Sequence, residues 1–133
     1  MELVLYTDGA SRGNPGPAGA GALITDRDGT TVAEKAVYLG EATNNQAEYQ
    51  ALLIGLKEAV KLAPSRLTVR MDSELIVKQL NGEYRVRNRD LQPLHGRARE
   101  LMQRFGEVCV VHVPREENTH ADRLANQAID NRS

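Results

Sequence analysis

Leu3, Val4, Leu5 and Tyr6 form an uninterrupted apolar run that gives way to Thr7 and Asp8. A run apolar on both faces predicts a strand over residues 3–8 in the middle of a sheet. The following RGNPGPAG, rich in Gly and Pro, breaks it. Two β-leaning runs flank Asp28-Gly29, a dipeptide suited to a tight turn with positive φ, so a hairpin is predicted over residues 20–39. Strands one to three are then antiparallel neighbours. The period changes in TNNQAEYQALLIGLKEAVKLAP, where cap-type Thr43 to Asn45 precede good helix formers from Gln46 and Pro64 stops the run. A helix of about four turns is expected. Leu67, Val69 and Met71 alternate with Thr68, Arg70 and Asp72, a half-buried strand that ends, like the first, on an acid.

Ser73 to Leu80 predicts a short helix stopped at Asn81-Gly82, and EYRVRNRD a basic connection. Behind Asp90, an expected N-cap, Leu91, Leu94, Ala98, Leu101, Met102 and Phe105 recur at helical spacing. The spacing predicts a second long helix to about Phe105, ended by Gly106. VCVVHVP reads as the last strand, and THADRLANQAID places Ala121, Leu124, Ala125, Ala128 and Ile129 on one face of a closing helix. The order βββαβααβα implies an α/β domain in which right-handed crossovers join strands one, four and five. One domain over residues 1–133 is expected, with no repeat, linker or low-complexity segment.

The chain's 133 residues, 41% hydrophobic and 26% charged, suit a soluble globular domain and exclude disordered and fibrous classes. A net charge of −1 argues against nucleic-acid binding by bulk positive charge, while leaving room for a local basic face. Four Tyr and one Phe supply few stacking platforms for single strands. The single cysteine, Cys109, is expected as a buried core thiol and rules out a disulfide framework or a cysteine zinc site. With no apolar stretch of membrane-spanning length and too short an apolar run at the start for a signal peptide, a cytoplasmic location without a membrane partner is expected.

The acids carry the chemistry. Ligands of open α/β sheets collect beyond the carboxyl ends of strands, where Asp8 and Asp72 fall, and they become neighbours if strands one and four are adjacent. Glu48, in the first turn of its helix, and Asp122, opening the last helix, are two more carboxylates that could return to that edge. The ordinary readings are a helix-dipole acid or capping-box partner of Asn45 for Glu48, and a first-turn acid for Asp122. Converging carboxylates without basic partners raise one another's pKa, so such a cluster calls for a hard cation. Oxygen ligands without Cys or paired His favour Mg²⁺ over zinc, and two such ions roughly 4 Å apart are the usual apparatus for hydrolysing a phosphodiester.

YTDGASRGNPGPAGAG, TNNQAEYQAL, MDSELIV and PREENTHADRLAN occur in the order and spacing of ribonuclease H type 1, and the chain resembles a short member of that family over residues 3–130. The resemblance implies a five-stranded mixed sheet of order 3-2-1-4-5 flanked by helices, and hydrolysis of the RNA strand of an RNA–DNA hybrid with 5′-phosphate products. It implies two Mg²⁺ or Mn²⁺ ions held by Asp8, Glu48, Asp72 and Asp122, with Asp8 bridging both. Gly9, Ala10 and Ser11, of small bulk, would bring backbone amides to a sugar edge, and Asn14 would add an amide contact. Asn44, Asn45 and Gln46 resemble minor-groove readers and Thr43 a phosphate contact; simple N-capping is the alternative for the two asparagines.

The family's loop histidine before the last acid has no single counterpart here. Arg115 is preferred as the group assisting turnover, with His120 and His112 as alternatives; His95 is given no role, and Asn118 matches a family asparagine or caps the last helix. The basic insert of many bacterial members is absent, and Arg85, Arg87 and Arg89, alternating with Val86 and Asn88, offer an expected seat for DNA-strand phosphates. A monomer acting on hybrids is the expectation. The rivals are a nuclease of the same fold acting on double-stranded RNA or DNA junctions, and a non-catalytic hybrid-binding module.

Overall fold

The computed structural model of the chain describes residues 1–132. The elements are β1 (Glu2–Ser11), β2 (Gly16–Thr25), β3 (Thr31–Ala42), α1 (Asn44–Leu62), β4 (Arg66–Met71), α2 (Glu74–Leu80), α3 (Gln92–Met102), β5 (Glu107–His112), a 3-10 turn (Arg115–Glu117) and α4 (Thr119–Asp130). They build one five-stranded sheet of order β3-β2-β1-β4-β5, with β1–β2 and β2–β3 antiparallel and β1–β4 and β4–β5 parallel.

β1 does not end at Asp8. It continues to Ser11 because small residues on both strands keep the antiparallel ladder going, pairing Gly9 with Ala20, Ala10 with Gly19 and Ser11 with Ala18. The parallel ladder with β4 stops earlier, at Tyr6 opposite Arg70. Asp8 therefore lies where the two ladders part, and Asp72 follows the last residue of β4 at the same split. The hairpin is also longer than the expected 20–39, spanning Gly16 to Ala42.

Alternation sorts the core. Leu3, Leu5, Leu67, Val69 and Val110 face one side of the sheet and bury against Tyr49, Leu52, Leu53 and Leu56 of α1, Ile76 and Leu80 of α2 and Ala98 of α3. α4 packs on the opposite face, against β1, β2 and β3. Its backbone crosses Gly19 and Gly21 so closely that a Cβ at either would overlap the carbonyls of Ala125 or Ala121. That close crossing delivers Asp122, in the first turn of α4, to the sheet.

Sequence expectations for the helices and for Cys109 change. α1 runs 19 residues, about five turns, and Thr43 caps it in a box closed by Gln46, not by Glu48 with Asn45. α3 is capped at Leu91 with no side-chain bond, because Asn88 instead organises the turn, its Oδ1 accepting from Asp90 N at 2.8 Å. α3 also stops at Met102, and Phe105 enters the core from the loop that follows. Cys109 is exposed. β5 is an edge strand whose Val108 and Val110 pack inward, while Cys109 and Val111 lie on the α4 side of the sheet, where α4 covers β1, β2 and β3 and stops short of β5.

Candidate metal centre and nucleic-acid interface

Gly9 faces α1, and a Cβ there would overlap the backbone of Ala47 and Glu48. Lacking one, it lets the first turn of α1 lie against β1 and donates its N–H to Glu48 Oε1 at 2.5 Å. Glu48 and Asp8 are buried. Asp8, Glu48 and Asp72 each present an oxygen, and the three oxygens lie within 4.8 Å of one another. Asp122 and Arg115 line the same cleft, and Asp8 is within hydrogen-bonding reach of Asp122 and Glu48.

Burial raises the Asp8 carboxyl far above its ordinary range, and the charge of Glu48 and the nearness of Asp122 and Asp72 push the same way. Burial likewise pushes Glu48 up to about 7, opposed by the Gly9 N–H and the Arg115 guanidinium and reinforced by Asp72. Crowded carboxyls of this kind keep protons at neutral pH unless a cation takes their place. The donor set is all oxygen, two of its three acids are buried, and their spacing fits a hard divalent ion of the Mg²⁺ or Mn²⁺ class.

The alternatives to Arg115 lie elsewhere. His120 turns to β3, with Nε2 2.9 Å from Glu34 Oε2. His112 is held in the β5 ladder opposite Met71. Arg115, in the turn between β5 and α4, lines the cleft with the acids.

Gly9, Ala10, Ser11, Asn44 and Asn45 share the cleft with the acids. Their hydrogen bonds are specific. Ser11 N donates to Asn44 Oδ1 at 3.1 Å and Asn44 N to Asn14 Oδ1 at 3.1 Å, stitching the β1–β2 loop to the start of α1. The N–H groups of Gly9 and Ser11 are thus already engaged inside the protein. The two asparagine oxygens are engaged as well, which leaves their Nδ2 groups as donors. Thr43 Oγ1 accepts from Gln46 N at 3.2 Å while Gln46 Oε1 accepts from Thr43 N at 2.9 Å, so the hydroxyl hydrogen of Thr43 and the amide nitrogen of Gln46 remain to donate outward.

Arg85, Arg87 and Arg89 are exposed on an irregular connection anchored by half-buried Val86. Of the three, Arg85 lines a groove with Tyr84, Gln92, His95 and Arg99. Sequence reasoning missed Arg99, since helical spacing marks the apolar face of α3 but not which cation on the other face borders a distant loop. Asn118 does not cap α4 with its side chain. It is buried, and its Nδ2 donates to Thr7 O and to Asp72 Oδ2, both at 2.9 Å.

Comparison with known proteins places this geometry. The family described as Reverse transcriptase-like matches residues 6–128. Bifunctional protein Rv2228c of Mycobacterium tuberculosis is 48% identical over 131 residues, 98% of this chain; the chain spans only 36% of that relative's length. The crystal structure of RNase H1 from the archaeon Halobacterium salinarum superposes with a TM-score of 0.96 at 45% identity, over 99% of this chain and 100% of that one. LC11-RNase H1 in complex with RNA/DNA hybrid gives a TM-score of 0.91 at 44% identity, over 96% of both chains.

Proposed function

The chain belongs to the ribonuclease H family, and on that premise we propose that residues 1–133 form one endoribonuclease unit that hydrolyses the RNA strand of RNA–DNA hybrids with two Mg²⁺ or Mn²⁺ ions. The observation that carries this reading is the meeting of oxygens from Asp8, Glu48 and Asp72 within 4.8 Å at the split between β1 and β4. Asp122 completes the set from α4. All these groups come from one chain, which supports action as a monomer. The exposed free thiol of Cys109 suits a reducing compartment such as the cytoplasm.

When bound, the cations supply an activated water and charge neutralisation at the scissile phosphate, giving 5′-phosphate products. The chain's own residues hold that arrangement. Gly9 fixes Glu48 through its N–H, Asp8 is centred between Glu48, Asp72 and Asp122, and Arg115 adds positive charge at the rim where a phosphate enters.

Recognition is built from the backbone and side-chain amides around the cleft. With the N–H groups of Gly9 and Ser11 engaged, contact with a 2′-hydroxyl falls to carbonyl oxygens of that segment and to the Nδ2 donors of Asn14, Asn44 and Asn45. Thr43 and the outward nitrogen of Gln46 extend the row of donors along the same strand. Such groups read sugar and groove shape, so cleavage is independent of base sequence. Arg85, Arg87 and Arg89 seat DNA-strand phosphates without the basic insert.

Incubation of end-labelled RNA–DNA hybrid, double-stranded RNA and double-stranded DNA with Mg²⁺ or EDTA tests the reading. The expected result is Mg²⁺-dependent cleavage of the hybrid's RNA strand with 5′-phosphate ends. Hybrid binding with no cleavage in Mg²⁺ or Mn²⁺ would replace it with the non-catalytic module.

A further inference from the structure

Asn118 is among the largest fully buried side chains, yet its amide oxygen has no hydrogen-bond partner among the described residues. A buried orphan acceptor is unfavourable, so the orientation must be held by what the nitrogen gains. That nitrogen donates to Thr7 O and Asp72 Oδ2, both at 2.9 Å. Rotating the amide by half a turn would set its oxygen against a carbonyl and a carboxylate oxygen, so the two acceptors fix it as found. The backbone carbonyl of the same residue accepts from Asp122 N at 3.1 Å. One residue thereby touches the residue before Asp8, the carboxylate of Asp72 and the backbone of Asp122.

We propose that Asn118 is a positioning residue of the metal centre, which locks Asp72 to β1 and directs the other Asp72 oxygen toward the cation. The inference rests on the four acids being metal ligands. Capping is not its task, since its side chain makes no bond to α4. Nor does mere packing account for it, because an apolar residue of similar size would fill the space without leaving an oxygen unpaired. By bonding Oδ2, the amide nitrogen fixes how the Asp72 carboxylate is turned, and by holding Thr7 O it sets the spacing between Asp72 and Asp8.

The test is Mn²⁺ titration calorimetry of the folded wild type, Asn118→Ala, Asp72→Asn and the double variant, with steady-state cleavage alongside. Groups that orient a metal's ligands cost roughly 10–100-fold in metal affinity when removed. Asn118→Ala is expected to weaken Mn²⁺ binding by about 10-fold or more and to lower kcat, with KM for the hybrid nearly unchanged and excess Mn²⁺ restoring part of kcat. In the Asp72→Asn background the same substitution is expected to change Mn²⁺ affinity less than about twofold, since its target is gone. Equal Mn²⁺ affinity in wild type and Asn118→Ala overturns the positioning role while leaving the metal centre standing, whereas a wild type that takes up no Mn²⁺ overturns both.

A second measurement needs no variant, should Asn118→Ala fail to fold. In ¹⁵N-labelled wild type, Mg²⁺ is expected to shift the Asn118 side-chain amide resonances, because their hydrogen bond shares Asp72 with the ion. Resonances unmoved at saturating Mg²⁺ would overturn the proposal.

Discussion

The backbone N–H of Gly9 and the Glu48 carboxylate are 2.5 Å apart, and that contact joins the central strand to the first turn of α1. It exists because Gly9 has no side chain where the helix backbone passes. Gly9→Ala is expected to push α1 away from β1, costing about 1–3 kcal/mol as an overpacked site and abolishing cleavage. Thermal melting and hybrid cleavage check this; an active Gly9→Ala enzyme of wild-type stability would show that the close crossing does not set the site.

Asp8 sits among Glu48, Asp72 and Asp122, with its carboxyl raised by burial and by their charge. Asp8→Asn removes one repelling group, so without divalent ions its Tm should rise by roughly 2–5 °C. Cleavage should be lost, along with most of the Tm gain that Mg²⁺ gives the wild type. Melting curves in EDTA and in Mg²⁺ read both effects.

The same raised carboxyls set a pH dependence. Asp8 and Glu48 bind protons more tightly folded than unfolded, so their contribution to stability is full below their ordinary pKa values of 3.8 and 4.5. It is lost as pH rises through the folded values, to about 7 for Glu48 and higher for Asp8. In EDTA the Tm should therefore climb as pH is lowered from about 8 to about 5, and Mg²⁺ should flatten that slope by replacing the protons. A Tm in EDTA that falls as the pH is lowered over this range would contradict raised carboxyls at Asp8 and Glu48.

Arg115 borders the acids while His120 is paired with Glu34 and His112 is held in β5. Arg115→Ala should lower kcat by about 10-fold or more, with a smaller change in KM, as for loss of a charge acting on the reacting phosphate. His120→Ala should leave kcat near the wild-type value. The opposite ranking in steady-state kinetics would move the assisting role to the histidine.

Replacing Arg85, Arg87 and Arg89 by Ala should raise KM at moderate salt and make the dependence of log affinity on log salt shallower by up to about 2–3. Arg99, which shares the groove with Arg85, should add to that loss when changed to Ala. Binding isotherms over a salt series measure the slope.

Much of this was legible because the fold repeats simple patterns. Leu3 to Tyr6, the alternation of Leu67, Val69 and Met71, and the acids that follow them marked the sheet edge where the cluster forms. What stayed hidden depended on partners distant in the chain. Alternating Val108, Cys109 and Val110 shows two faces of a strand but not that α4 stops short of β5, so the sequence reads Cys109 as buried while the fold leaves it exposed. The cap of α3 falls to local competition, in which Asn88 takes the turn that the sequence assigns to Asp90. Asn118 could be matched to a family loop, yet its hold on Asp72, 46 positions away, exists only once the sheet has formed.

The most direct measurement is a crystal of the protein soaked in Mn²⁺ and read by anomalous scattering. Two Mn²⁺ peaks held among Asp8, Glu48, Asp72 and Asp122, with Asp8 touching both, are predicted. Strong peaks elsewhere on the molecule with none among these four carboxylates would contradict a metal-dependent nuclease centred on them.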